Sequence, residues 1–277
     1  MTTPNDARNL ALFCDFENVA LGVREAKYAQ FDIGLVLERL LLKGSIVVKK
    51  AYCDWERYKD FKAGMHEASF ELIEIPHVRM SGKNSADIRM VVDALDLCYT
   101  KSHVDTFVII SGDSDFSPLV SKLRENNKTV IAVGVKNSTS NLLIANCDEF
   151  IFYDDLVREQ KGKTRKPEKK PARGKSASTA AAVAAPAPPA EDKDRKQEAF
   201  DLVLATTEAL ATERGAEEKI WGSMVKQALK RRNPGFSESY YGFKSFNQLL
   251  EEAAGRNLLV VERDEKSGGY LVRSAAH

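Results

Sequence analysis

The sequence predicts an α/β architecture: a doubly wound parallel sheet with helices on both faces over residues 1–157, then a small winged helix-turn-helix over residues 196–277. Three observations lead there. Through the first half, short apolar runs alternate with stretches at helical spacing, the pattern of successive βαβ units. Residues 158–195 lose their large apolar side chains and turn Lys/Arg-rich, then Ala/Pro/Ser-rich, the composition of a disordered tether. Beyond them, three amphipathic stretches precede two strand-like runs separated by glycines, the outline of three helices and a wing.

Each element has its own signal. Residues 9–15 form a short apolar strand ending on Asp15. Residues 31–42 carry Ile33, Val36, Leu37, Leu40 and Leu41 at helical spacing, and Gly44 reads as the stop after that helix. Residues 45–52 are β-branched and strand-like. Residues 55–70 read as a helix, and 72–75 as a strand that Pro76 ends. Ile88, Val91, Val92, Leu95 and Cys98 give a helix over 86–99. Residues 106–110 suit a buried strand, and 116–126 a helix with Leu119, Val120 and Leu123 on one face. Residues 129–135 and 150–152 are further strands. In the second part, 199–212, 220–230 and 246–254 read as helices, with 258–263 and 269–273 as the arms of a hairpin.

The net charge of +1 conceals a sharp partition. Residues 1–155 hold 18 Lys and Arg against 23 Asp and Glu, residues 156–195 hold 11 against 5, and the remainder holds 12 of each. An acidic domain is a poor partner for nucleic acid unless its carboxylates hold cations and basic charge comes from elsewhere. The tether could provide it by counterion release on phosphates, or be a plain spacer. No apolar run approaches the roughly 18 residues that span a bilayer, and no secretory leader is visible. The four cysteines are scattered with no Cys-x-x-Cys pair, which argues against zinc and for a reducing, cytoplasmic setting.

The chemistry-bearing residues are aspartates at strand ends. Asp15 closes the first strand, Asp113 and Asp115 follow the strand at 106–110, and Asp87 opens a helix. A parallel sheet delivers all strand ends to one rim, so three distant segments converge there. Clustered carboxylates repel one another, and a hard cation, Mg2+ or Mn2+, relieves this. Two such ions roughly 3.5–4 Å apart can activate water on a phosphodiester. Asn18 and Ser111 could orient a carboxylate or a substrate phosphate. Each aspartate also has a local explanation: a strand-end Asp is commonly a turn former or helix cap, Asp115 could cap the helix after it, and Asp87 suits a helix dipole. Asp93, four residues after Arg89, reads as a surface ion pair.

Phe13-Cys-Asp-Phe-Glu-Asn18, Lys83-Asn-Ser-Ala-Asp87 with the helix after it, and Ser111-Gly-Asp-Ser-Asp-Phe116 together resemble the successive motifs of the NYN domain. This is a branch of the PIN-like nucleases that includes LabA-like proteins. The resemblance implies a PIN-like fold and a metal-dependent ribonuclease with Asp15, Asp87, Asp113 and Asp115 as acidic site positions, and Asn18 beside them. Asn146-Cys-Asp-Glu-Phe150 resembles the family's closing element, with Asp148 read as structural. Residues 220–236 and the Gly242-Phe-Lys-Ser-Phe246 element resemble the OST-HTH/LOTUS domain, which implies a winged helix that binds RNA or docks protein partners.

The expectation is therefore an endoribonuclease acting on single-stranded RNA, with the second domain selecting the target. Candidate RNA contacts are Lys83 and Lys136 in the first domain, and Lys226, Lys230, Arg231, Arg232 and Lys244 in the second, with Tyr240 or Tyr241 stacking on bases. Two alternatives stand beside it: a non-catalytic RNA- or protein-binding regulatory adaptor, and a nuclease acting on DNA.

Overall fold

The computed structural model describes residues 8–75, 85–164, 190–214, 219–264 and 269–274. Pro76, Lys83 and residues 265–268 of the expected hairpin turn lie outside these. By contacts the chain divides into two compact units, residues 1–157 with 230–236, and residues 158–229 with 237–277.

In the first unit the order is β1 (Arg8–Asp15), α1 (Phe16–Glu25), α2 (Ile33–Leu41), β2 (Gly44–Cys53), α3 (Lys59–Glu67), β3 (Glu71–Glu74) and α4 (Ser85–Thr100). It continues with β4 (Thr106–Ile110), α5 (Ser117–Glu125), β5 (Thr129–Gly134), α6 (Asn141–Asn146), β6 (Glu149–Phe152) and α7 (Tyr153–Thr164). The six strands make one sheet in the order β3-β2-β1-β4-β5-β6, and every pairing is parallel. The chain lays strands outward from β1 in one direction, then returns to β1's other side and continues the opposite way. This is the doubly wound parallel sheet expected from the sequence. The order reverses between β1 and β4, and the carboxyl ends beside such a reversal are where open α/β sheets form their ligand crevice.

Strand periodicity sorts the core into two faces. Leu10, Leu12 and Cys14 of β1 join Val108 and Ile110 of β4 under α1, α2 and α7. Ala11 and Phe13 join Phe107 and Ile109 under α4, α5 and α6. The Phe13 and Phe107 rings stack at 6.0 Å between centroids, and burying each side chain stabilises the fold by about 2–3 kcal/mol. Both central strands are closed to water along almost their whole length, which is why they read as continuous apolar runs and not as alternating ones.

Three readings change. Gly44 does not stop a helix: α2 ends at Leu41, capped by Leu42, and Gly44 opens β2 opposite Arg8. A Cβ there would run into the Arg8 carbonyl and the Leu10 side chain, so the glycine answers a close strand approach. The helix expected from residue 55 begins only at Lys59. Trp55 is instead anchored to β3: its amide donates to Glu74 Oε1 at 3.0 Å and its indole N–H to the Ile73 carbonyl at 3.2 Å, with its ring 5.0 Å from Phe16. Third, α1, α6 and α7 occupy segments to which the sequence reading assigns no helix.

The second unit holds α8 (Ala190–Arg214), α9 (Gly222–Arg232), α10 (Phe246–Gly255) and an antiparallel pair, β7 (Leu259–Arg263) with β8 (Tyr270–Ser274). Both ends of the expected tether are helical, since α7 runs to Thr164 and α8 starts at Ala190. Phe200, Val203, Phe243, Leu249, Leu250 and Val272 are buried, with Phe200 and Phe243 edge to face at 5.7 Å. No helix among the described residues is long and apolar enough to cross a membrane.

Candidate active site

The reversal of strand order positions the carboxylates. Asp15 is the last residue of β1, and Ser111 directly follows β4. Alternation carries both side chains to the face of Phe13 and Ile109, where α4 begins with Asp87 in its first turn. Ser111 is fully buried, and its Oγ donates to Asp15 Oδ2 at 3.0 Å. The Asn18 amide donates to Asp15 Oδ1 at 3.3 Å, so Asp15 is also the cap of α1. Asn18 Oδ1 in turn accepts the Gly112 N–H at 2.9 Å, and the Asp113 amide donates to Ser111 Oγ at 3.2 Å. A continuous run of hydrogen bonds thus ties the end of β1 to the end of β4.

Asp113 Oδ1 accepts the Asp115 amide at 2.9 Å and opens a 3-10 turn over Ser114–Phe116. The capping role offered as the local explanation for Asp115 therefore belongs to Asp113. Asp115 is exposed within that turn. Gly112 is needed for proximity: a Cβ on it would lie 2.6 Å from the Ser138 carbonyl, in the segment after β5.

The electrostatics are those of unneutralised acid. Burial pushes the Asp15 carboxyl up to about 7, helped by the charges of Asp87 and Asp113 and opposed by the bonds from Asn18 and Ser111. Burial, then the charges of Asp113, Asp115 and Glu17, raise the Asp87 carboxyl above its usual range. Glu17 is a site neighbour that the sequence reading quoted inside its motif without a role. It ion-pairs with Arg57 at 3.2 Å, which places a cation beside the rim at the turn after β2. Cys14 and Cys53 are buried thiols whose pKa burial drives upward, so neither is a nucleophile. All four cysteines are free and buried.

The carboxylates share one electrostatic neighbourhood, yet among the described residues no three Asp, Glu, His or Cys side chains form a ready-made metal cage. The fully assembled ligand cluster expected from the sequence is therefore absent as a preformed protein cage. The donor set still suits a hard divalent ion. Mg2+ retains waters and is commonly bound by one or two carboxylates with substrate phosphate oxygens, and a cation there would relieve the repulsion that lifts Asp15 and Asp87.

Among other expected positions, Lys136 lies exposed in the turn after β5, at the same rim, with its amide donating to Asp154 Oδ2 at 2.8 Å. Lys83 lies outside the described residues. Asp148 is structural as read: Oδ2 accepts the Val130 amide at 2.8 Å and Oδ1 pairs with Arg124 at 3.2 Å. Asp93 pairs with Arg89 as expected but is more than a surface partner, since it also accepts the Tyr52 hydroxyl at 2.9 Å. Farther along the chain Lys226 is bound to Glu238 at 2.8 Å, while Lys230, Arg231 and Arg232 form the last turn of α9 and Lys244 is exposed. Tyr241 is buried and so is no stacking platform; Tyr240 is only half-buried.

A family model for the NYN domain matches residues 9–154. The chain belongs to the NYN domain family. NYN domains fall in the PIN-like nuclease superfamily, and the chain's first unit has that nuclease-like fold. An uncharacterized protein of Methanocaldococcus jannaschii is 28% identical over 147 residues, covering 52% of this chain and 56% of that protein. The chain thus spans little more than half the length of that curated relative. A crystal structure of a protein of unknown function from Vibrio parahaemolyticus is also similar, with a TM-score of 0.50 and 28% identity. That match covers 56% of this chain and 98% of the other.

Proposed function

We propose that the NYN unit is a Mg2+- or Mn2+-dependent endoribonuclease acting on single-stranded RNA. The observation that carries this reading is the group of carboxylates at the strand-order reversal, buried enough to raise Asp15 and Asp87. Asp15, Asp87 and Asp113 would hold the ion with the scissile phosphate, with Asp115 at the outer edge. A bound divalent ion would lower the pKa of a coordinated water and stabilise charge on the leaving oxygen. Ser111 and the Asn18 amide fix the Asp15 carboxylate by hydrogen bonds to its two oxygens. Asn18 Oδ1 holds the Gly112 backbone, so the segment bearing Asp113 keeps its place relative to β1. Lys136, in the turn after β5, would on this reading meet substrate phosphates.

The second unit, on this reading, is an OST-HTH/LOTUS-type winged helix that binds RNA or a protein partner and so selects the target. Three helices followed by an antiparallel pair support it, as does the basic last turn of α9. Labelled single-stranded RNA incubated with the purified chain and manganese should be cut internally. EDTA should stop cleavage, a matched DNA strand should be cut more slowly, and Asp113→Asn should abolish cleavage. Undiminished cutting by Asp113→Asn rejects the site.

A regulatory adaptor without turnover is the second reading, favoured because among the described residues no three candidate ligands form a metal cage. It predicts retention of RNA with no cleavage at any divalent metal concentration.

A further inference from the structure

The outer face of α4 is apolar where a solvent-facing helix is ordinarily polar. Ile88, Val92 and Tyr99 are 62%, 55% and 64% exposed, and Leu95 between them is half-buried. At 100° per residue these four fall within a stripe about 60° wide, while Met90, Ala94 and Cys98 form the separate row that faces the sheet. Contiguous exposed apolar surface of this kind marks an interaction site.

The order of the stripe identifies the partner. Its spacings are four, three and four residues, which read the same in both directions. When two such helices lie antiparallel about a two-fold axis, Ile88 of one faces Tyr99 of the other and Val92 faces Leu95, twice over. The flanking charges obey the same symmetry. Arg89 and Asp96 lie on one flank of the stripe, and the two-fold brings like flanks together, so Arg89 of each copy comes within reach of Asp96 of the other. Arg89 bonds Asp93 through Nε at 3.0 Å and its side chain is largely exposed, so its two terminal nitrogens could still donate to a second carboxylate. A shallow groove bordered by Ser85, Ile88, Arg89 and Val92 lies where the second copy's Tyr99 would seat. In the parallel arrangement these charges meet no complement.

We propose that the chain forms a two-fold homodimer through antiparallel pairing of α4. Self-complementarity of this kind is the requirement for an isologous interface. One helix per side lies at the low end of interface sizes, so the dimer dissociates at micromolar concentrations. The inference is independent of the nuclease reading.

Sedimentation velocity on the full chain across the micromolar range tests it. Wild type should pass from monomer to dimer, and Val92→Glu, an exposed position, should remain monomeric with an unchanged melting temperature. Asp96→Arg should weaken the dimer by about tenfold, and combining it with Arg89→Glu should restore it, which a parallel pair would not do. A wild-type chain that stays monomeric, or a Val92→Glu variant that dimerises as well as wild type, overturns the proposal. A monomeric wild type whose melting temperature falls on Val92→Glu also overturns it, because another segment of the same chain then covers the stripe.

Discussion

The two units treat their partly or fully buried carboxylates in different ways. In the second, Glu252 receives both Lys196 at 2.9 Å and Arg256 at 3.0 Å, and Glu238 receives Lys226. In the first, Asp15 is more deeply buried, yet its bonds come from an amide and a hydroxyl while its carboxylate neighbours push its pKa upward. At Glu252 and Glu238 the second unit neutralises its acids internally, as the first does at Asp93 and Asp148 away from the rim. At the rim the first leaves negative charge concentrated, and that arrangement suits a cation arriving from outside with its substrate.

Substitutions can break this contrast. The largest effect is expected from Asp15→Asn, which should lower single-turnover RNA cleavage by at least about a hundredfold. The same variant should gain stability without metal, because it removes a charge that the fold holds unfavourably.

Next comes pH. The folded Asp15 carboxyl titrates near 7, above its unfolded value of 3.8, so the native state holds the extra proton between these limits. Unfolding free energy should therefore fall as pH rises through that window and level off above it, by about 2–4 kcal/mol in all. Asp87 adds in the same sense. Denaturant melts in EDTA on either side of the window measure the slope, and Asp15→Asn should flatten it. A stability that climbs from pH 4 to pH 7 would mean the acids are neutralised after all.

Ser111→Ala removes a hydrogen bond to the charged form of Asp15 and should cost about 1 kcal/mol of stability at alkaline pH. It should also move the acidic limb of the cleavage profile upward in pH. The smallest effect belongs to the second unit. Glu252→Gln loosens a partly exposed ion-pair network and should cost under about 1 kcal/mol, leaving cleavage per folded molecule unchanged.

Much of the first unit was legible because its central strands are buried on both faces and its acids stand where those strands stop. That Asp15 ends a strand, Asp87 opens a helix and Asp113 follows a strand was readable from the sequence. What escaped needed a third dimension. Asn18 reads as a residue to orient a carboxylate or a substrate phosphate, and only the adjacency of β1 and β4 reveals that its side chain holds Gly112. Trp55 looks like the start of a helix until β3 takes its indole N–H. α1 did carry a signal, with Phe16, Val19 and Val23 buried one helical face apart, but its opening residues are also the motif and drew attention to chemistry instead. That no three candidate ligands form a closed cage among the described residues was likewise invisible, since residue types fix which atoms can donate but not how far apart they stand.

The hydrogen bonds running from Asn18 and Ser111 to Asp15, Gly112 and Asp113 cross the line where the sheet's two halves meet. That line divides the sheet into two three-stranded halves. A substrate lodged there fastens both leaves at once, so occupancy should be felt as slowed amide exchange along β1 and β4, far from any atom the substrate touches.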